Sequence, residues 1–131
     1  MEKLKNCNIV IDIEEIELIS GANQEFEVLL MTKDKKKYKI VFNYVLGYEI
    51  LNRKCFYIDR FCNFRKNMSE NLIDNSIFIV ENSEYVKYFK NQVSGTIPVD
   101  NITHYILFDK VDTIIDVLTA KEPILLSITT G

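Results

Sequence analysis

Apolar and polar side chains alternate with the period of a strand through much of the first half of this 131-residue chain. Ile9, Ile11 and Ile13 alternate with Val10, Asp12 and Glu14, the pattern of a half-buried strand. The parity then flips, because Ile16 and Leu18 are apolar while Glu15 and Glu17 are polar. A β-bulge near Glu14–Glu15 accounts for the flip, since one extra residue returns the apolar set to one face. Two separate strands are the alternative. Ser20 to Gln24 reads as a turn and Glu25 to Thr32 as the next strand. The charged run from Lys33 to Lys37 makes a hairpin tip. Tyr38 to Val45 alternates again, with Tyr38, Ile40, Phe42 and Tyr44 on one face, which completes a three-strand meander.

Further on, Gly47 to Asn52 continues or bends the sheet. Cys55 to Phe64 reads as a strand with Phe56 and Ile58 on one face, or as a helix on the spacing of Tyr57, Phe61 and Phe64. Arg65 to Asn75 is polar and reads as a loop, and Ser76 to Val80 as a short buried strand. Asn82 or Ser83 then caps a helix over about 83–94, because a short polar side chain there can accept from an orphan backbone N–H. Glu84 in the first turn and Lys90 near the end suit the helix dipole. Tyr85, Phe89 and Val93 recur every four residues as a narrow docking stripe, and Gly95 stops the helix. Strands at His104–Phe108 and Thr113–Leu118 form a hairpin across Asp109–Asp112, and Ile124 to Ile128 adds an edge strand after Pro123. The predicted fold is α+β: a mainly antiparallel sheet of about 6–8 strands, carrying one short helix, in a single domain over 1–131.

Composition narrows the setting. Hydrophobic residues are 47% of the chain and charged residues 27%, ordinary for a globular protein and unlike a disordered one. Three cysteines, Cys7, Cys55 and Cys62, are an odd number without a disulfide-framework spacing, which favours a reducing compartment. The first residues lack a signal-peptide pattern and no apolar run approaches membrane-helix length, so a cytoplasmic protein without membrane contact is expected. Net charge is −3, but residues 1–31 hold seven acidic and two basic side chains while 32–80 hold five acidic and ten basic. Either the folded surface has an acidic and a basic region, or the signs balance across neighbouring strands.

Candidate chemistry is sparse. The single histidine, His104, has no motif beside it that supplies a nucleophile or an orienting carboxylate, so it reads as structural or partner-contacting. A zinc site from Cys7, Cys55, Cys62 and His104 lacks knuckle spacing, and no Cys-x-x-Cys pair exists. With four glycines, neither a P-loop nor a dinucleotide fingerprint can be written. The lysines of 33–39 sit in a chain of pI about 5.2, which argues against nucleic acid. No catalytic residue, cofactor or metal site is therefore expected. Two acidic groups, Glu14, Glu15 and Glu17 and then Asp109, Asp112 and Asp116, are the candidate partner-binding residues.

One stretch resembles a known group. The segments Phe78-Ile-Val-Glu-Asn-Ser-Glu-Tyr-Val-Lys-Tyr-Phe, Ile102-Thr-His-Tyr-Ile-Leu-Phe, Ile115-Asp-Val-Leu and Glu122-Pro are similar to small bacterial proteins, some regarded as immunity proteins of polymorphic or contact-dependent toxin systems. The resemblance covers about residues 77–124, and Tyr88 stands where that group has Trp. It implies Ser83 as a cap, Tyr85 and Phe89 as packing, and Tyr105 and Val117 as strand core. It also implies a non-enzymatic module that neutralises a toxin protein by binding it. The alternatives are a small enzyme built around His104 with a carboxylate such as Asp116, and a structural subunit that pairs a sheet edge with another copy.

Overall fold

In the computed structural model, residues 2–22, 24–52, 75–93 and 101–128 are described. The meander forms as its alternation requires. Strands β2 (Glu15–Ala22), β3 (Glu25–Met31) and β4 (Lys37–Phe42) pair antiparallel in succession, and β9 (Ile124–Ile128) adds to the far side of β4. Phe26, Val28 and Leu30 of β3 and Ile40 and Phe42 of β4 share one face and are sealed from solvent. The chain then changes sheet. Tyr44 turns out of β4 in the left-handed region (φ 55°), and Val45 to Asn52 becomes β5 at the edge of a second sheet.

That second sheet runs β1 (Lys3–Lys5), β6 (Ile77–Glu81), β7 (Thr103–Phe108), β8 (Thr113–Thr119) and β5, antiparallel throughout. Its inner face contributes Ile77, Tyr105, Leu107, Ile115 and Val117 to one apolar cluster shared with the meander. Its outer face gathers Phe78, Val80, Ile106, Phe108 and Ile114 into a second cluster. Residues of β7 and β8 are buried on both faces, so substitutions there act on two layers at once. A helix, α1 (Glu84–Val93), leaves the end of β6 and contacts β7. The molecule is thus an α+β protein dominated by antiparallel strands, with nine strands among the described residues rather than six to eight.

Three expectations change. Ile9, Ile11 and Ile13 do alternate into the core, but they are not laddered; they cross between the sheets. Their backbone is held by side chains instead: the Ile11 N–H donates to Asn75 Oδ1 (3.0 Å) and the Ile13 N–H to Ser76 Oγ (2.8 Å). A buried N–H needs a partner, and here polar side chains supply what a strand would. The register shift falls between Ile16 and Leu18, not at Glu14–Glu15, and leaves Leu18 exposed. Tyr44 does not extend the face of Tyr38, Ile40 and Phe42, because the chain has already turned. The predicted element at Cys55–Phe64 and the loop at 65–74 lie outside the described residues. Among the described residues, no helix is long and apolar enough to cross a membrane.

Candidate functional site

The polar centre of the molecule lies where β6 hands over to α1. Asn82 takes a left-handed conformation (φ 57°), which ends the strand and sets Ser83 at the helix N-cap. Ser83 Oγ accepts from the Val86 N–H (3.1 Å), and the Ser83 carbonyl accepts from the Lys87 N–H (3.2 Å). The same hydroxyl lies 2.6 Å from His104 Nδ1, and His104 Nε2 lies 2.6 Å from Asp116 Oδ1. Sheet order explains the meeting. β6, β7 and β8 are neighbours, and in their register His104 faces Leu118 while Ile106 faces Asp116. His104 and Asp116 are therefore diagonal on the outer face, within reach of each other's side chains.

The protons can be placed. A carboxylate only accepts, so Nε2 carries a proton and donates it to Asp116. Nδ1 then accepts the Ser83 hydroxyl when the ring is neutral, or donates to it when the ring is cationic. In the neutral state Ser83 donates to His104 and accepts from Val86. The chain is complete in either state. The side chains of His104 and Asp116 are 0% and 2% exposed, and Ser83 is 6% exposed. The Tyr85 ring stands edge-on to the imidazole (centroids 5.5 Å apart, 87° between planes) and covers it. Burial, with the negative charges of Glu49 and Asp116 behind it, raises the Tyr85 phenol above its ordinary pKa.

Serine, imidazole and carboxylate in this order make up a nucleophile, a base and an orienter. Ser83 and His104 also border an open hollow of about 420 Å³ between α1, β6 and β7. The chain matches no protein-family model, no curated protein and no solved structure.

The two acidic groups are rearranged by folding. Asp116 is sealed on His104, and Asp109 is buried, so neither offers a surface contact. Asp109 Oδ1 accepts from the N–H groups of Val111, Asp112 and Thr113, and its Oδ2 from the Ile16 N–H. It closes the β7–β8 turn and ties that turn to the start of β2. Asp112 is half-buried and accepts from the Thr113 hydroxyl. Glu14, Glu15 and Glu17 do reach the surface at the β2 edge. Lys110 inserts beside them, 3.0 Å from Asp12 and 3.5 Å from Glu14, and Lys37 lies 3.3 Å from Glu17. Lys39 meets Glu27 between adjacent strands at 3.6 Å. Lys37 and Lys39 thus pair in space with acids of the first thirty-one residues.

The remaining candidates are quiet. Cys7 is half-buried, its thiol donates to the Ile9 carbonyl (3.4 Å), and burial pushes its pKa up, away from a reactive thiolate. Among the described residues no cluster of three or more His, Cys, Asp or Glu side chains could hold a metal ion. Cys55 and Cys62 lie outside the described residues, and both ring nitrogens of His104 are already engaged.

Proposed function

We propose that this chain is a non-enzymatic protein-binding module of the cytoplasm, an immunity protein that neutralises a cognate bacterial toxin by occupying its surface. The observation that carries this reading is the use made of Ser83, His104 and Asp116. They close on one another beneath Tyr85, with Ser83 also capping α1, which is how a polar latch holds a helix to a sheet. The resemblance supports it too, because each of the three residues belongs to one of the similar segments. A module of this kind works by presenting a fixed surface, and a latch under the helix keeps that surface in place. Expressing the chain with the toxin encoded beside its gene tests the reading. Co-purification and survival of the toxin-bearing cells are expected, and undiminished killing overturns it.

The second reading is favoured by one observation, that Ser83 and His104 border the hollow. In an enzyme of this design, Ser83 Oγ would attack an acyl carbon as His104 Nδ1 takes the hydroxyl proton. That proton would then pass to the leaving group, and water would release the acyl group. A fluorophosphonate probe reports on it directly. Covalent labelling at Ser83 that is lost in His104→Gln would establish a reactive serine. An unlabelled, folded protein removes this reading.

A further inference from the structure

We propose that the hollow between α1 and the β6–β7 sheet is a docking groove for an acidic, extended segment of a partner protein, with one apolar side chain set between carboxylates. This deepens the binding-module reading and rests on it. The floor is apolar at Val80, Val86 and Ile102, with the polar Ser83, Thr103 and His104 beside them. The rim is cationic, with Lys5 from β1 and Lys87 and Lys90 from successive turns of α1. Among the described lining residues Glu81 is the one acidic side chain, so three lysines stand against one carboxylate there.

Lys5 and Lys90 are exposed and have no ion-pair partner among the described residues. Among the described residues Lys87 pairs with Glu84 one turn away (3.4 Å), both side chains being more than half exposed, and such a pair yields readily to an incoming carboxylate. The acidic corner at β2 offers the opposite case, because Lys110 and Lys37 already sit on its carboxylates. The N-terminus of α1 already has a carboxylate, since Glu2 Oε2 accepts from the Glu84 N–H at 3.0 Å, so the charge open to a partner lies farther along at Lys87 and Lys90. The hollow's volume, about 420 Å³, falls in the range of side-chain and small-ligand pockets (~300–1,000 Å³). An apolar floor supplies affinity and the lysine rim selects the sign of the partner and speeds encounter.

The test uses ¹⁵N-labelled protein and three short fluorescein-tagged peptides, each a leucine flanked on both sides by two residues that are acidic, basic or neutral. The acidic peptide is expected to shift backbone resonances of residues 79–83, 86–90 and 102–104, and to weaken as salt rises from 50 to ~300 mM, where screening shortens to less than ~8 Å. Lys87→Glu with Lys90→Glu is expected to weaken it by about tenfold or more, as charge reversal at a rim does. Both side chains are solvent-facing, so the double variant keeps its amide dispersion. Val86→Ser, a change in the floor, is expected to weaken the acidic peptide without altering its salt dependence. Equal binding of all three peptides, shifts confined to another face, or indifference to charge reversal overturns the groove. Protection by Lys87→Glu/Lys90→Glu equal to that of the unchanged protein also overturns it, while leaving the binding module standing. Failure of the unchanged protein to protect sinks the module, and the peptide titration still decides the groove.

Discussion

His104→Leu removes the middle of the latch and leaves the Asp116 carboxylate, 1% exposed, facing an apolar side chain. Deleting one partner of a buried charged pair costs about 3–5 kcal/mol, because the carboxylate loses that bond while it stays buried. For a chain of this length, between the two size classes for which the conversion is known, that is a fall of roughly 10–20 °C in Tm. Asp116→Leu has a smaller effect, about 2–3 kcal/mol, since the imidazole can be neutral and keeps its bond to Ser83. The informative variant is the double. His104→Leu/Asp116→Leu removes both members of the pair and fills the space with apolar volume, so it should be more stable than His104→Leu alone. The two changes should therefore be coupled by at least about 2 kcal/mol.

Urea unfolding monitored by far-ultraviolet circular dichroism measures all four proteins, with equal slopes required for the comparison. Native-state hydrogen exchange adds a spatial readout. No residue of α1 is fully buried, and the helix is held at its start through Ser83, so its amides should lose protection in His104→Leu before those of β3 do. A cost below about 1 kcal/mol for His104→Leu, or a double variant whose cost equals the sum of the singles within ~0.5 kcal/mol, would refute the latch.

Three further expectations follow from the same accounting of buried polar groups. Asn75→Ala strips the acceptor from the Ile11 N–H and the donor from the Ile77 carbonyl, and should cost about 2–4 kcal/mol in urea unfolding. Asp109→Ala orphans three turn amides and the Ile16 N–H. It should cost about 2–4 kcal/mol and release the exchange protection of β2's first residues, because one carboxylate serves both sheets. Burial pushes the Tyr105 phenol up to about 12 from 10.0, with Cys7 and Glu122 adding to it. The folded state then holds this proton more tightly than the unfolded chain. Stability from this group is complete below pH 10 and is lost as pH rises through 12, at most about 2–3 kcal/mol. Cys7 is shifted in the same direction by burial. Tyr105→Phe should flatten the alkaline fall in a pH series of unfolding midpoints; an unchanged fall refutes the assignment to Tyr105.

Local pattern carried the strands well. Period-two alternation marked β3 and β4, the Asp109–Asp112 link marked the β7–β8 hairpin, and Ser83 marked the start of α1, while Gly95 lies outside the described residues. What local pattern could not carry was partner choice. Nothing in Gly47 to Asn52 says that β5 pairs β8, some 70 residues away, rather than continuing the meander beside β4. Nor does the isoleucine run at 9–13 say that its amides go to Asn75 and Ser76. Alternation records which face is buried, not what the edge meets, and an extended crossing between sheets has the same alternation as a strand. The charge runs left two alternatives open for the same reason: Glu17 and Lys37 lie 20 positions apart in sequence but 3.3 Å apart in space.

The latch was half legible, and the missing half is instructive. β7 and β8 read apolar at nearly every position, as strands covered on both faces do, and within them stand one His and one Asp. A polar residue inside such a run must find a partner, since leaving it unpaired costs several kcal/mol. Parity puts His104 and Asp116 on the outer face, and the short turn places them two residues out of opposition. Those two facts select each other as partners, against the general tendency of Asp to lie at the surface. Ser83 needs one more fact, that β6 lies beside β7, and that pairing is long-range. Its cap role is visible in its own neighbourhood because the N–H groups it serves are in the next turn, whereas its bond to His104 spans 21 positions. A latch built across three adjacent strands therefore depends on strand order, so a change that unpairs β6 from β7 should release Ser83 from His104 while leaving the His104–Asp116 bond intact.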